Sequence, residues 1–123
     1  MQINEQIAAV IKKYRSHPQF IGMEVGDPNQ PGAMGDTMLH FAAEMGDVED
    51  IEVLVAAGAR VNVVGDIGNT PLHGAALMGK VAAVQKLLQL GADTRIKNEF
   101  GETALDVAKT GGHTAVSEVL EEK

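Results

Sequence analysis

Three sets of residues have types and spacing that invite chemistry. Gly74-Ala75-Ala76-Leu77-Met78-Gly79-Lys80 has the glycine and lysine spacing of a phosphate-binding loop. Such a loop cradles phosphates with backbone N–H groups and a lysine, follows a strand, and needs Ser or Thr next to hold magnesium. Val81 stands in that place and Gly74 falls within a helical pattern, so phosphate binding is not expected. His40 and His73 are a conceivable metal pair, since neutral imidazole is a common ligand, but no third or fourth ligand accompanies them. Ser16-His17 places a nucleophile beside a base in sequence. Nucleophilic catalysis needs that base held at hydrogen-bond distance, in a pocket. The expectation is no enzyme, no metal and no cofactor.

The elements that would position these residues follow from composition and period. Hydrophobic residues make up 45% of 123, yet only four residues are aromatic, so the core must be built from Ala, Val, Leu, Ile and Met. Small side chains of this kind suit helices packed closely together. With no cysteine, disulfides and thiolate zinc sites are excluded. The first residues, Met1-Gln2-Ile3-Asn4-Glu5, have neither a basic nor an apolar leader region. No stretch approaches the roughly 20 apolar residues of a membrane span. A soluble, cytoplasmic chain without a membrane partner is expected. The net charge of −7 disfavours nucleic acid, and residues 35–67 concentrate seven acids against the single base Arg60.

Ile3, Ile7, Val10, Ile11 and Tyr14 share one face of a helix predicted over about 4–15, with Asn4 as its N-cap. His17-Pro18 ends it. Residues 16–34 hold three prolines and three glycines and read as a loop, in which Phe20 and Ile21 cover the end of the fold.

The dominant feature is a repeat. Gly68-Asn69-Thr70-Pro71-Leu72-His73-Gly74-Ala75-Ala76 has an earlier copy, Gly35-Asp36-Thr37-Met38-Leu39-His40-Phe41-Ala42-Ala43. A later copy, Gly101-Glu102-Thr103-Ala104-Leu105-Asp106-Val107-Ala108-Lys109, stands at the same interval on the other side. A fixed period of about 33 residues means stacked supersecondary units. Thr37 and Thr70 cap first helices, and Pro71 suits the first helical position. Asp47 caps a second helix, with Asp50 completing a capping box. Val48, Ile51, Leu54 and Val55 form its buried stripe, replaced in the next unit by Val81, Val84, Leu87 and Leu88. Gly58 and Gly91 end these helices. The turn between units centres on Gly65-Asp66-Ile67-Gly68. In the last unit Lys109, Ser117 and Glu121 replace apolar residues, as an end face requires. Leu72 and Leu105 are expected to be buried between helices.

Gly68-Asn69-Thr70-Pro71-Leu72-His73, Gly91-Ala92-Asp93 and Val61-Asn62 resemble the ankyrin repeat consensus, and the resemblance covers about 26–123. Asn29, placed before Gly35 as Asn62 is before Gly68, resembles the tail of a degenerate preceding repeat. The chain departs from the consensus at Met38 and Ala104 (for proline), Lys80 (for histidine) and Arg95 (for asparagine), and residues 1–25 match nothing in it. The implied fold is an all-α ankyrin-repeat solenoid of helix-turn-helix units joined by β-turn or hairpin loops. Its parts are a capping segment 1–34, repeats 35–67 and 68–100, and a C-terminal capping repeat 101–123. In this family the histidine at 40 and 73 links adjacent loops, and Asp106 takes the third such place.

The resemblance also implies a protein-binding module that works through tips and the exposed side of each first helix, and is a monomer by itself. On this chain those positions are Met34, Asp36, Glu44 and Met45; Asp66, Ile67, Asn69, Leu77 and Met78; and Glu99, Phe100 and Glu102. Met34, Ile67 and Phe100 recur at one place. They either pack between tips or form an apolar strip with an acidic rim, the anatomy of a protein interface. A basic partner is the natural complement. Small ankyrin proteins of this kind include immunity proteins that neutralise a toxin; an adaptor or a stable scaffold is the alternative.

Overall fold

The computed structural model describes residues 3–23 and 26–122. The side chains of Ile3 and Asn4 lie outside the described residues, and with them the cap expected of Asn4; the helix itself begins at Ile3. Seven α-helices, two single-turn 3-10 helices (Pro18–Phe20 and Asp66–Gly68) and no strand are found among the described residues. The α-helices are α1 (Ile3–Tyr14), α2 (Met38–Met45), α3 (Val48–Ala56), α4 (Pro71–Leu77), α5 (Val81–Gln89), α6 (Ala104–Thr110) and α7 (Thr114–Glu121). Helices α2, α4 and α6 pack side by side as an inner row, and α1, α3, α5 and α7 form an outer row behind them. Turns closed by backbone hydrogen bonds, without strand ladders among the described residues, join successive units, in line with the expected β-turn or hairpin loops.

One device starts every inner helix. Thr37, Thr70 and Thr103 are extended caps. The residue three places on returns to the cap: His40 Nδ1 accepts the Thr37 N–H at 2.9 Å, His73 Nδ1 accepts the Thr70 N–H at 3.1 Å, and Asp106 Oδ2 accepts the Thr103 N–H at 3.0 Å. An N–H only donates, so each Nδ1 is bare and the imidazole proton sits on Nε2. That proton goes to the next unit: His40 Nε2 donates to the Asn69 carbonyl at 2.8 Å, and His73 Nε2 to the Glu102 carbonyl at 2.9 Å. Burial is the main reason the His40 pKa lies below its ordinary value, outweighing the Asn69 carbonyl and the Asp36 carboxylate. His40 is therefore a neutral tie between units.

The core lies between the rows. Ala42, Ala43, Ala75, Ala76, Ala83 and Ala108 are fully buried and let backbones approach closely, while Leu39, Ile51, Leu54, Leu72, Val84 and Leu87 fill the remaining space. The expected outer stripes are narrower than predicted: Val48, Val55, Val81 and Leu88, at their edges, are half-buried. Gly58 and Gly91, with φ of 103° and 100°, take the left-handed turn that ends α3 and α5. A second tie runs outside the core. Asn29 bridges the Gly58 carbonyl and the Arg60 N–H, and one repeat later Asn62 bridges the Gly91 carbonyl and the Asp93 N–H.

The two ends differ from expectation in four places. Phe20 is buried edge-on to Phe41, whose ring stacks on His17, but Ile21 is 75% exposed and covers nothing. Asp47 does cap α3 through the Asp50 N–H. The Asp50 carboxylate, however, accepts from Tyr14 Oη at 2.7 Å and Lys13 Nζ at 2.8 Å, so it clamps α1 to α3 instead of completing a capping box. Burial and that carboxylate push the Tyr14 hydroxyl well above its usual pKa. At the other end Lys109 and Glu121 are exposed as expected. Ser117 is buried instead, because its position belongs to the same inward row as Ile51 and Val84. Leu105 is only half-buried, since among the described residues no unit packs beyond α6 and α7 to cover it.

Candidate partner-binding face

Each tip is one short turn built the same way. N–H groups of Gly35, Gly68 and Gly101 donate to the carbonyls of Gly32, Gly65 and Asn98 at 2.9–3.0 Å. The base of each turn is closed from Gly32 to Asp36, from Gly65 to Asn69 and from Asn98 to Glu102, at 2.7–2.9 Å. Closing the turn twice leaves its middle residue outside, so Met34 is 60% exposed, Ile67 40% and Phe100 70%. Packing between tips therefore claims part of Ile67 and little of the other two.

The tips are also tied to one another. The Asp66 N–H donates to Asp36 Oδ1 at 2.9 Å, and the Glu99 N–H to the Ile67 carbonyl at 2.9 Å. These ties hold Ile67 at φ 50°, ψ 25°, in the left-handed region. A β-branched residue there costs about 1–2 kcal/mol. The tip row is a fixed template, with strain stored at its central member.

Behind the tips, Met45, Leu77 and Met78 stand at the ends of α2 and α4, each more than half exposed. Nine large hydrophobic residues are exposed among the described residues, and six of them are Met34, Met45, Ile67, Leu77, Met78 and Phe100. The exposed large hydrophobics are thus concentrated at the tip and helix-end positions of the repeats, and Ile67 and Leu77 among them line one cleft.

Asp36, Glu44, Asp66, Ile67, Asn69 and Leu77, half of the expected positions, line one cleft of about 190 Å³ between α2 and α4. Gly74 forms its floor: a Cβ there would meet Glu44 Cγ at 3.0 Å. Glu44 is half-buried, and burial, together with the Asp36 carboxylate, holds its carboxyl above the usual range. No lysine or arginine lines the cleft. The third tip has a side-chain brace in addition. Asn98, buried, accepts the Phe100 and Glu102 N–H groups and donates to Asn69 Oδ1 and Glu102 Oε1, so Asn69 and Glu102 are partly engaged in shaping the tip. Glu99 is exposed beside them.

Sequence reasoning missed Asn98, Gly74 and Gln19. Gln19 accepts the Met34 N–H through Oε1 and donates from Nε2 to Asp36 Oδ2, fixing the first tip. Nothing in the repeat could have pointed to it, because residues 15–25 are out of register. Aligning the repeats did contain a signal for Gly74, which stands where the other units have Phe41 and Val107.

The residues first considered for chemistry have other uses. Ser16 Oγ donates to the Lys13 carbonyl, and His17 Nδ1 accepts the Gln19 N–H while its ring stacks on Phe41. Gly74 lies inside α4. His40 and His73 are committed to the ties described above. No group of His, Cys, Asp or Glu among the described residues could hold a metal ion, and none of the described helices is long and apolar enough to cross a membrane.

No curated protein matches the chain. The family described as ankyrin repeats (3 copies) matches residues 7–98. Its match starts inside α1, ahead of residue 26 where the resemblance was expected to begin, which agrees with Asn29 making the same tie as Asn62. Ankyrin repeats are a non-catalytic module that mediates protein–protein interaction. With three quarters of its length matched and its ties recurring from unit to unit, the chain belongs to the ankyrin repeat family.

Proposed function

We propose that the chain binds a basic protein partner along the tips and the exposed sides of α2 and α4. Contacts come from Met34, Ile67, Phe100, Met45, Leu77 and Met78, rimmed by Asp36, Glu44, Asp66, Asn69, Glu99 and Glu102. One observation carries this reading: the exposed large hydrophobics gather at the tip and helix-end positions of the repeats, and in the cleft between α2 and α4 the carboxylates of Asp36, Glu44 and Asp66 stand beside Ile67 and Leu77. An apolar centre with a charged rim drives association through the centre and sets partner choice through the rim. Exposed methionines adapt to an irregular partner surface. The strain at Ile67 supports the same reading, since glycine or asparagine would relieve it and packing between tips claims only part of the isoleucine.

The test is affinity capture from the native host with wild type and an Ile67→Asp/Phe100→Asp variant, followed by reconstitution of the captured protein in pure form. We expect a basic protein that binds wild type and is weakened at least about a hundredfold by the variant, with far-ultraviolet circular dichroism unchanged. Undiminished binding to the variant would move the site off the tips. Assaying the partner's own activity with and without the chain then separates an inhibitor of the immunity-protein kind from an adaptor.

A further inference from the structure

The two junctions between inner helices are built on equivalent positions with different contents. Across α2 and α4 stand Asp36, Glu44, Asp66 and Gly74; one repeat on, across α4 and α6, stand Asn69, Leu77, Glu99 and Val107. Val107 is buried where Gly74 leaves room against Glu44. Only the first junction therefore pairs an open floor with three carboxylates. Asp36 has partners for both oxygens, in the Asp66 N–H and Gln19 Nε2. The Glu44 and Asp66 carboxylates have no hydrogen-bond or ion-pair partner among the described residues, although Glu44 is half-buried. At about 190 Å³ the space is below the ~300–1,000 Å³ of small-molecule pockets and suits a single side chain. Ile67 and Leu77 supply apolar walls that a methylene stem would cover.

We propose that this cleft receives one arginine or lysine side chain of the protein partner, its cationic head between Glu44 and Asp66 and its stem between Ile67 and Leu77. The inference rests on the partner-binding reading above and adds its specificity element. Charge complementarity is the argument: a docked cation neutralises two carboxylates that no protein group neutralises, in a site where a neutral residue would leave Glu44 covered and unpaired. Arginine, with a planar fork of donors, matches two carboxylates better than lysine.

The experiment titrates the full chain, labelled with nitrogen-15, with Nα-acetyl-arginine amide and with its uncharged isostere Nα-acetyl-citrulline amide. About 0.15 M salt screens exposed charges beyond about 8 Å. We expect saturable amide shifts at Asp66, Ile67, Gly74 and Leu77 with the arginine probe, and binding at least about tenfold weaker with citrulline. Glu44→Gln, which keeps the shape, should weaken the arginine probe by a similar factor. Equal binding of both probes, no saturable shift, or no loss in Glu44→Gln would overturn the proposal. The partner-binding reading stands separately. A purified partner that loses affinity with Ile67→Asp/Phe100→Asp but not with Glu44→Gln would retain the docking face and reject the cation cleft. A partner lost with Glu44→Gln as well supports both.

Discussion

The junction between α2 and α4 and the junction between α4 and α6 share their ties and differ in their filling. In both, a buried histidine joins a helix start to the next tip, at 2.8 and 2.9 Å. In both, a leucine stands at the second helical position, Leu72 in α4 and Leu105 in α6. Yet Leu72 is buried and Leu105 half-buried, and Gly74 stands where Val107 does. The comparison teaches that the repeat separates two tasks. Hydrogen-bonded ties, made by histidine and asparagine side chains at fixed repeat positions, set the spacing of units, and the positions between the ties are left free to be filled for stability or left open for a ligand.

The largest way to break this comparison is through the leucines. Leu72→Ala removes a fully buried side chain with neighbours on both sides and should cost about 2–5 kcal/mol. Leu105→Ala removes a side chain on the uncovered side of the last unit and should cost about half as much or less. Urea denaturation of both variants measures the difference. Equal losses would mean that the last unit is as enclosed as the inner ones.

The shared tie is the next target. His40→Ala leaves the Thr37 N–H without its partner and the Asn69 carbonyl with only the Gly65 N–H, for about 1–3 kcal/mol. The wild-type tie also has a pH dependence of definite sign. The folded state lowers the His40 pKa, so it binds the proton less readily than the unfolded chain. The stability this represents is complete above about pH 6.5, the ordinary histidine value, and is lost as pH falls through the lowered value. Stability measured between pH 7 and pH 5 should decline in wild type, and more gently in His40→Ala. Parallel curves would remove His40 from the acid-sensitive part of the fold.

Much of this was legible in the sequence because it is local or periodic. A threonine cap, a proline at the first helical position and a glycine ending a helix act within a few residues. The repeat register then copied each one along the chain, so α2 was placed to the residue over 38–45. What escaped depends on partners far away in sequence or on a neighbour that is missing. Asp50 read as half of a local capping box because Tyr14 and Lys13, its actual partners, lie 36 and 37 residues before it. Leu105 carries the same consensus letter as Leu72, and only the uncovered end makes it half-buried. Ser117 looked like an end-face residue by its polarity, yet its place in the row carries it inward. The tip positions of the candidate face were found from register, whereas the cleft among them was not, because its floor is defined by an absent side chain.

That floor gives the finest test. Gly74→Ala moves the first junction toward the second. In a helix, alanine is favoured over glycine by about 1 kcal/mol. Against this, the new Cβ would lie 3.0 Å from Glu44 Cγ, and the flexible glutamate must swing toward solvent. The opposed effects leave the net change in stability small, within about 0.5 kcal/mol. The cleft should nevertheless shrink and lose Glu44 as a wall, so Nα-acetyl-arginine amide should bind at least about tenfold more weakly while the thermal midpoint hardly moves. A variant that kept its affinity would show that Glu44 reaches the cation from outside the cleft and that the glycine is not what distinguishes the two junctions. Loss of affinity without loss of stability would mean that the open floor serves binding, and that the stack folds equally well with it closed.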